Sequence, residues 1–147
     1  MHHVLRETFP VGAAVRQPSE HCRNIVHEVE EIARSFAGKP LSLSNIYKEA
    51  SVGPGMIRFA FRAVYGLPPR RFFHDERLRA VRAELRRATP GLTVTQIATS
   101  HGFVELGRFA AQYRAAFGEP PSATLRGAQA RSAADDPGTM PASNTGA

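Results

Sequence analysis

The sequence predicts an all-α fold in which two helix-turn-helix units are joined by a long linker helix. Apolar residues between positions 20 and 127 recur at the spacing of helices, and no stretch alternates as a strand does. The segment at residues 61–69 returns, in closely similar form, 52 positions later at residues 113–121. Each copy is typical of a helix that ends at glycine and is followed by proline. A doubled helical unit indicates a surface that contacts its partner at two places.

Three helices are predicted before the long one. The first ends at Gly38, and Ser42 or Ser44 caps a short second helix. Pro54 starts the third helix, which runs to about Tyr65, because proline is favoured at the first helical position. The first helix is predicted from the helical spacing of Ile25, Val29, Ile32, Ala33 and Phe36.

The long fourth helix is predicted from about residue 69 to residue 88, where Pro90 and the glycine after it end the helix. The order of a short helix and then a longer one is repeated after it: Thr93 caps a short fifth helix, and a sixth helix runs from about Glu105 to Phe117. About 20 residues at 1.5 Å each make the linker roughly 30 Å long. Successive major-groove segments on one side of duplex DNA lie about 34 Å apart. The predicted apolar stripe of the linker consists of Leu78, Val81, Leu85 and Ala88.

The composition of the chain limits the classes of function that are possible. The 147 residues are 42% hydrophobic, carry a formal charge of +6 and have a pI of about 10.4, which favours nucleic acid or another acidic surface as partner. The single cysteine, Cys22, excludes an internal disulfide, and with His21 and His27 it gives too few ligands for a predicted metal site. No apolar run approaches the roughly 20 residues of a membrane span, and no signal-peptide core is present.

Composition also divides the chain into segments. The N-terminal segment shows no clear period and is predicted to be a leader or linker. The C-terminal segment has almost no large apolar residue and is predicted to be disordered. The predicted boundaries are residues 1–19 for the leader, 24–127 for the domain, 42–66 for the first helix-turn-helix unit, 69–89 for the linker helix, 93–118 for the second unit and 128–147 for the tail.

Helical winding separates an inner from an outer face on the second helix of each unit. The predicted inner residues are Ile57, Ala60, Phe61 and Val64 in the first unit, and Leu106, Phe109, Tyr113 and Ala116 in the second. The predicted outer residues are Gly55, Arg58, Phe59 and Arg62 in the first unit, and Gly107, Ala111 and Arg114 in the second, with Arg108 on the flank. Arg62 and Arg114 therefore occupy equivalent outward positions, as expected if both helices approach a polyanion.

These outer faces supply the candidate site residues. Arg58 and Arg108 are predicted to donate paired hydrogen bonds to guanine in the major groove. Phe59 is predicted to be exposed, and it would lie against a thymine methyl group, pack against another domain or subunit, or simply be tolerated. The candidate residues are Arg58, Phe59, Met56, Arg108 and Gly107 for base readout, and Arg62, Arg114, Arg71 and Arg79 for phosphate. No catalytic residue, metal ligand or cofactor is predicted.

An ordinary solvated face is the alternative for every one of these arginines. The same two interpretations, solvated face or phosphate contact, apply to a row of arginines on the linker helix at Arg79, Arg82 and Arg86. An enzyme is the least favoured class, because no glycine-rich phosphate loop occurs and the glutamates at positions 28, 30 and 31 lie on a polar helix without a nucleophile beside them.

Residues from about 24 to 127 resemble the DNA-binding domain of the AraC/XylS family of bacterial transcription regulators. The second unit carries the denser match: Ile97-Ala98, Gly102-Phe103, Leu106-Gly107-Arg108-Phe109, Tyr113-Arg114, Phe117-Gly118-Glu119-Pro120-Pro121-Ser122 and Leu125-Arg126. The first unit keeps Ala50-Ser51-Val52, Ile57, Phe61-Arg62 and Tyr65-Gly66-Leu67-Pro68-Pro69, and the linker keeps Arg77-Leu78 and Ala80.

This resemblance implies two homeodomain-like helical units that read adjacent major grooves of promoter DNA, usually recruiting RNA polymerase, in the bacterial cytoplasm at the nucleoid. It also implies a sensing or dimerisation domain that the 19-residue leader is too short to form. The chain is then either a stand-alone regulator or, as we slightly favour, the C-terminal part of a longer one. Several residues depart from the family pattern and predict thinner base readout: Tyr47, Gly55, Phe59, Gly107 and Ala111.

The sequence therefore predicts a sequence-specific DNA-binding regulator. The nearest alternative is a truncated relative that binds DNA non-specifically. A different class is a protein-interaction module that uses Phe59 and the arginine face to bind a regulator or polymerase.

Overall fold

The computed structural model describes residues 17–36, 39 and 41–135, and this part of the chain consists of seven α-helices without a strand. The predicted all-α fold is confirmed. The helices are α1 Glu20–Ser35, α2 Leu43–Glu49, α3 Pro54–Tyr65, α4 Pro69–Arg86, α5 Val94–Ser100, α6 Leu106–Phe117 and α7 Pro121–Ala134. The predicted end of the first helix, Gly38, lies outside the described residues. Each described helix is too short or too polar to cross a membrane.

The repeated glycines end α3 and α6 as the sequence predicts. Gly66 and Gly118 have φ angles of 68° and 78°, and the N–H of each donates to the carbonyl oxygen four residues earlier. A side chain is strained in this left-handed region, so glycine is favoured at both positions. Proline then occupies the first position of the next helix, at Pro69 and Pro121, where the missing N–H costs no hydrogen bond.

The two short helices begin differently. Thr93 forms a full capping box with Gln96, in which each side chain accepts from the other residue's backbone N–H, at 3.2 and 2.9 Å. Ser42 occupies the cap position of α2, but its hydroxyl lies 2.9 Å from that of Ser44 and caps no backbone N–H. The two predicted caps of α2 therefore bond to each other.

Two hydrophobic cores lie along the chain, and α4 contributes to both. The first unit is formed by α1–α3 and the start of α4, where Phe73 enters a core of Cys22, Ile25, Val26, Val29, Ile46, Ile57, Ala60 and Phe61. Tyr47, a departure from the family pattern, packs half-buried against this core. The second unit is formed by the rest of α4 and α5–α7. The predicted stripe enters its core, although α4 ends at Arg86 and Ala88 therefore lies just beyond the helix. The other core residues are Ile97, Ala98, Phe103, Phe109, Tyr113 and Leu125.

Helix α7 extends into the segment predicted to be a disordered tail, so that prediction is wrong for residues 128–134. Ala128 is buried, and the side-chain amide of Gln129 donates to the backbone oxygen of Leu92 at 3.3 Å. Pro121 starts the helix and Leu125 anchors it in the second core. Alanine-rich sequence of this kind becomes a stable helix once one face is packed, because alanine has the highest helix propensity.

The inner face of α6 is rotated from the predicted one. Phe109 and Tyr113 are buried as predicted, but Leu106 and Ala116 are exposed. Phe117 takes the place predicted for Ala116, since its ring packs against that of Tyr113 with a centroid distance of 4.7 Å. The larger aromatic side chain at the end of the helix therefore sets the buried face.

The arginine row on α4 is not uniformly exposed. Arg79 and Arg86 are exposed, whereas Arg82 is half-buried, with its guanidinium 4.6 Å from the centroid of the Phe117 ring. Its Nε is buried and has no hydrogen-bond partner among the described residues. Arg82 is therefore not part of a fully solvated face, and it stabilises the second unit by a cation–π contact.

Candidate nucleic-acid interface

Helix α3 turns its predicted outer face to solvent. The helix is held from the other side, where Ile57, Ala60 and Phe61 are fully buried against α1. The outer residues Gly55, Met56, Arg58, Phe59 and Arg62 are all exposed. Phe59 is 62% exposed and Met56 43% exposed, so both apolar side chains are free to contact another molecule.

Helix α6 exposes the equivalent face. Gly107, Arg108, Ala111 and Arg114 are all accessible to solvent, as the sequence predicts. Arg108 lies with its Nε 3.4 Å from a carboxylate oxygen of Glu105, and both side chains are largely exposed. Exposed pairs of this kind contribute little stability, so the ion pair does not prevent Arg108 from contacting a ligand.

Both outer faces are positively charged. Neither α3 nor α6 contains an acidic residue. Within the described residues, Arg58, Arg62 and Arg114 form no salt bridge, because no carboxylate oxygen lies within 4.0 Å of them. Two cationic helix faces, each on the second helix of a helix-turn-helix unit and each with at least one arginine that forms no salt bridge, are suited to bind a polyanion.

The repeat makes the two faces comparable position by position. Arg62 corresponds to Arg114 at the offset of 52, and both side chains are exposed. Phe59 corresponds to Ala111, so the most exposed large apolar side chain of α3 has only a methyl group as its counterpart. Met56 corresponds to Arg108. The two helices therefore share a common charge but present different groups for contact.

A cleft of about 920 Å³ lies between the two units, along α4. Arg71 lines it, and its Nε is 3.3 Å from a carboxylate oxygen of Asp75. Other basic side chains of α4 line the cleft too, and residues of α2 and α6 also line it. These lining residues include Arg70, Arg71, His74, Arg77, Ser42, Ser44, Gln112 and Ala115. Three arginines against the one carboxylate of Asp75 make the cleft cationic, although apolar residues such as Leu41 and Phe73 line it too, and the phosphate contact of Arg71 stays a prediction.

Arg79 lies in different surroundings from the other candidate arginines. Its guanidinium is 2.5 Å from a carboxylate oxygen of Glu76, and it lines a second groove together with Glu30, Asp75 and Tyr65. Three carboxylates around one arginine repel a phosphate group. These surroundings favour a structural role for Arg79.

Arg77 connects the two units, a contact that sequence reasoning missed. Its Nη2 donates to the backbone oxygen of Leu41, beside the first core, at 3.3 Å. The same guanidinium lies 5.6 Å from the ring centroid of Phe103 in the second core. His74, one turn earlier, meets Phe103 edge to face at 6.1 Å. The resemblance singled out Arg77 on the linker, but only the fold brings its two partners together.

Two tyrosines have raised pKa values, and both act in packing. A hydrogen bond from the Tyr65 hydroxyl to Glu30, reinforced by desolvation, raises the pKa of Tyr65 to about 12 and ties the end of α3 to α1. Burial raises the pKa of Tyr113, whose hydroxyl lies 2.8 Å from that of Thr124 in α7. Both phenols are therefore neutral at physiological pH and supply no charge to the outer faces.

Comparison with known proteins places this architecture among transcription regulators. A family model described as a helix-turn-helix domain matches residues 46–127. The chain is 34% identical over 124 residues to a XylDLEGF operon transcriptional activator of Pseudomonas putida, covering 84% of this chain and 36% of that protein. It is 30% identical over 115 residues to a probable thc operon regulatory protein of Rhodococcus erythropolis, covering 78% of this chain and 35% of that one. The chain thus spans about a third of the length of these relatives.

One solved structure agrees in fold and in family, and a second agrees in fold. A probable AraC family transcriptional regulator from Rhodopseudomonas palustris is 36% identical, with a TM-score of 0.63, over 72% of this chain and 98% of that one. An AraC-type regulator from Chromobacterium violaceum shares the fold with a TM-score of 0.64 at 20% identity, over 74% of this chain and 95% of the other. These relatives are regulators and not enzymes. From the helix-turn-helix match, the sequence identity and the shared fold, we conclude that this chain belongs to the AraC/XylS family of transcription regulators.

Proposed function

We propose that this chain binds promoter DNA sequence-specifically, with α3 and α6 in adjacent major grooves, and thereby regulates transcription. The observation that carries the proposal is the pair of exposed, cationic helix faces on units that share α4. The 18 residues of α4 span about 27 Å at 1.5 Å each, close to the roughly 34 Å that separates successive major-groove segments. A rigid helix of this length supports binding at two points on one side of the duplex.

The exposed side chains divide into two roles in this proposal. Arg58 and Arg108 donate to base edges in the grooves, where Met56, Phe59 and Gly107 also lie. Arg62 and Arg114, further along their helices, hold phosphates, and Arg71 does so from the cleft. Several relatives have the word activator in their names, which supports RNA polymerase as the protein partner. Binding to promoter DNA would take place in the cytoplasm, at the nucleoid. A sensing or dimerisation partner stays a prediction of the family resemblance.

Selection from a random duplex library tests this proposal. We expect an enriched motif of about two helical turns, bound with a dissociation constant in the nanomolar range. Arg58→Ala and Arg108→Ala should each relax base preference in a different half of the motif by roughly tenfold, because a paired arginine–guanine contact discriminates by about 1–3 kcal/mol. Arg62→Ala is the matched control, since loss of a phosphate contact weakens all sequences alike.

Three results would contradict parts of the proposal. A library that returns no enriched motif rules out sequence-specific recognition. Uniform weakening by Arg58→Ala and Arg108→Ala supports a non-specific DNA binder instead. No measurable DNA binding at low salt, with a protein partner retained, supports an interaction module.

Arg77→Ala is expected to weaken binding to the complete motif about tenfold, while binding to an isolated half-site changes less than twofold. The reason is that Arg77 holds the two units in one orientation, and preorganised binding at the second groove depends on that orientation. Competition between duplexes with one and two half-sites measures the difference. Arg86→Ala, which removes an exposed arginine from the same helix, should change neither value. Equal losses on both duplexes would mean that Arg77 does not couple the units.

A further inference from the structure

The outer face of α3 carries two exposed apolar side chains. Met56 and Phe59 are three residues apart, which places them side by side on the helix surface. Gly55 next to them has no side chain, and a Cβ atom there would meet nothing within 4 Å. Met56 and Phe59 therefore have no hydrogen-bonding side chain between them, and Arg58 and Arg62, which are four residues apart, lie together on one side of them. We call Met56 and Phe59 the apolar pair.

The second unit lacks the apolar pair. At the positions equivalent to Met56 and Phe59 it has Arg108 and Ala111, a cation and a methyl group. The other exposed apolar side chains of this unit, Val104 and Leu106, lie at the start of α6. The two units therefore offer different chemistry to whatever they bind, an apolar surface from α3 and a cationic one from α6.

The charged side chains next to the apolar pair indicate which kind of surface it contacts. Arg58 and Arg62 are exposed, and no carboxylate among the described residues pairs with them. An apolar patch with two unpaired cations along one side is complementary to an apolar group that lies next to an anionic rim. The major groove of DNA has phosphates at its rim, and its one apolar group is the C5 methyl of thymine.

We propose that the first unit recognises its half-site chiefly through thymine methyl groups packed against Met56 and Phe59, whereas the second unit reads bases through Arg108. This inference rests on the DNA-binding function proposed above and names the chemical group that α3 recognises. Discrimination by α3 then comes chiefly from apolar contact, with Arg58 adding a hydrogen-bonded guanine contact beside it, which explains how a recognition helix with glycine at position 55 and phenylalanine at position 59 distinguishes sequences.

Replacing thymine by uracil tests the proposal, because uracil lacks only the methyl group. The motif returned by the library selection is synthesised with deoxyuridine in the α3 half-site, in the α6 half-site or in neither. The half-sites are assigned by which one loses base preference in Arg58→Ala and which in Arg108→Ala. We expect each methyl removed from the α3 half-site to raise the dissociation constant about fourfold, as for loss of one buried methyl. Removal from the α6 half-site should change it less than twofold.

Phe59→Ala separates a direct contact from an effect of DNA shape. Loss of thymine methyl groups also changes duplex stiffness, and that effect persists in any variant. In Phe59→Ala the ratio of dissociation constants for uracil and thymine duplexes should fall towards one in the α3 half-site. Thermal melting should be unchanged, since the Phe59 side chain lies mostly in solvent. Ala111→Phe should in turn create sensitivity to uracil in the α6 half-site.

The outcomes distinguish this inference from the function on which it rests. An enriched motif with equal affinity for thymine and uracil duplexes overturns methyl recognition and leaves the regulator proposal intact. A uracil effect of the same size in Phe59→Ala also overturns it, because the sensitivity then arises elsewhere. If Phe59→Ala abolishes binding to a purified protein partner and leaves DNA binding unchanged, the apolar pair is a protein contact and the inference is wrong.

Discussion

Replacing Phe61 with alanine is expected to lower the free energy of unfolding by about 4 kcal/mol. The side chain is fully buried, and its ring lies 5.3 Å from that of Phe72 and 5.8 Å from that of Phe73, by centroid distance. Removal of the ring leaves a cavity between α3 and the start of α4 that neighbouring side chains fill only in part. Urea denaturation followed by far-ultraviolet circular dichroism measures the change, since the chain has no tryptophan.

Phe59→Ala is the matched control for this prediction. It is the same substitution on the same helix, two residues away but on the opposite face, where the side chain is 62% exposed. Its effect on the free energy of unfolding should stay within about 0.5 kcal/mol. Comparable losses in the two variants would contradict the assignment of an inner and an outer face to α3. A stable Phe59→Ala variant also makes the uracil experiment interpretable.

The double variant Arg62→Ala/Arg114→Ala is expected to bind DNA about a hundredfold more weakly at 50 mM salt. Each phosphate contact releases about 0.9 counterion, so loss of two contacts lowers the slope of log K against log salt by about 2. Between 50 and 200 mM salt, the affinity of the variant should therefore fall about tenfold less than that of the unsubstituted chain. Fluorescence anisotropy with a labelled duplex across a salt series gives both quantities.

A control with the same change of net charge is Arg34→Ala/Arg131→Ala. These arginines are exposed on α1 and α7, the helices that pack on the inner sides of α3 and α6. Their removal should leave the salt slope within about half a unit of the original. If both double variants lose the same slope, binding follows the overall charge of the chain, and the assignment of phosphate contacts to equivalent positions on the recognition helices is wrong.

The features that the sequence predicts correctly depend on local chemistry. The ends of α3 and α6 follow from glycine and proline, whose backbone preferences act within a few residues. The outer face of α3 follows from helical winding, because its inner residues are all apolar and its outer arginines are unambiguous. The capping box at Thr93 is likewise a local pattern. The roles of the candidate site residues on DNA stay predictions.

The features that the sequence misses depend on contacts between distant residues. Helix α7 buries few apolar side chains of its own, namely those of Pro121, Leu125 and Ala128, so the composition of its second half resembles a disordered tail. The half-burial of Arg82 follows from where the fold places the ring of Phe117. Arg77 finds Leu41 36 positions away, on the other unit. No periodic pattern within one helix records contacts of this kind.

The sharing of α4 between two cores has a consequence for how recognition can change. Each residue inserted into this helix would move the second unit by 1.5 Å and rotate it by about 100°. Helix α4 therefore sets the rotation of one unit relative to the other about the helix axis, as well as the distance between them. The outer faces of α3 and α6 carry no such constraint, because their side chains belong to neither core. Substitutions on one outer face can therefore change the base preference in one half-site without changing it in the other. The spacing between the half-sites stays set by the length of α4.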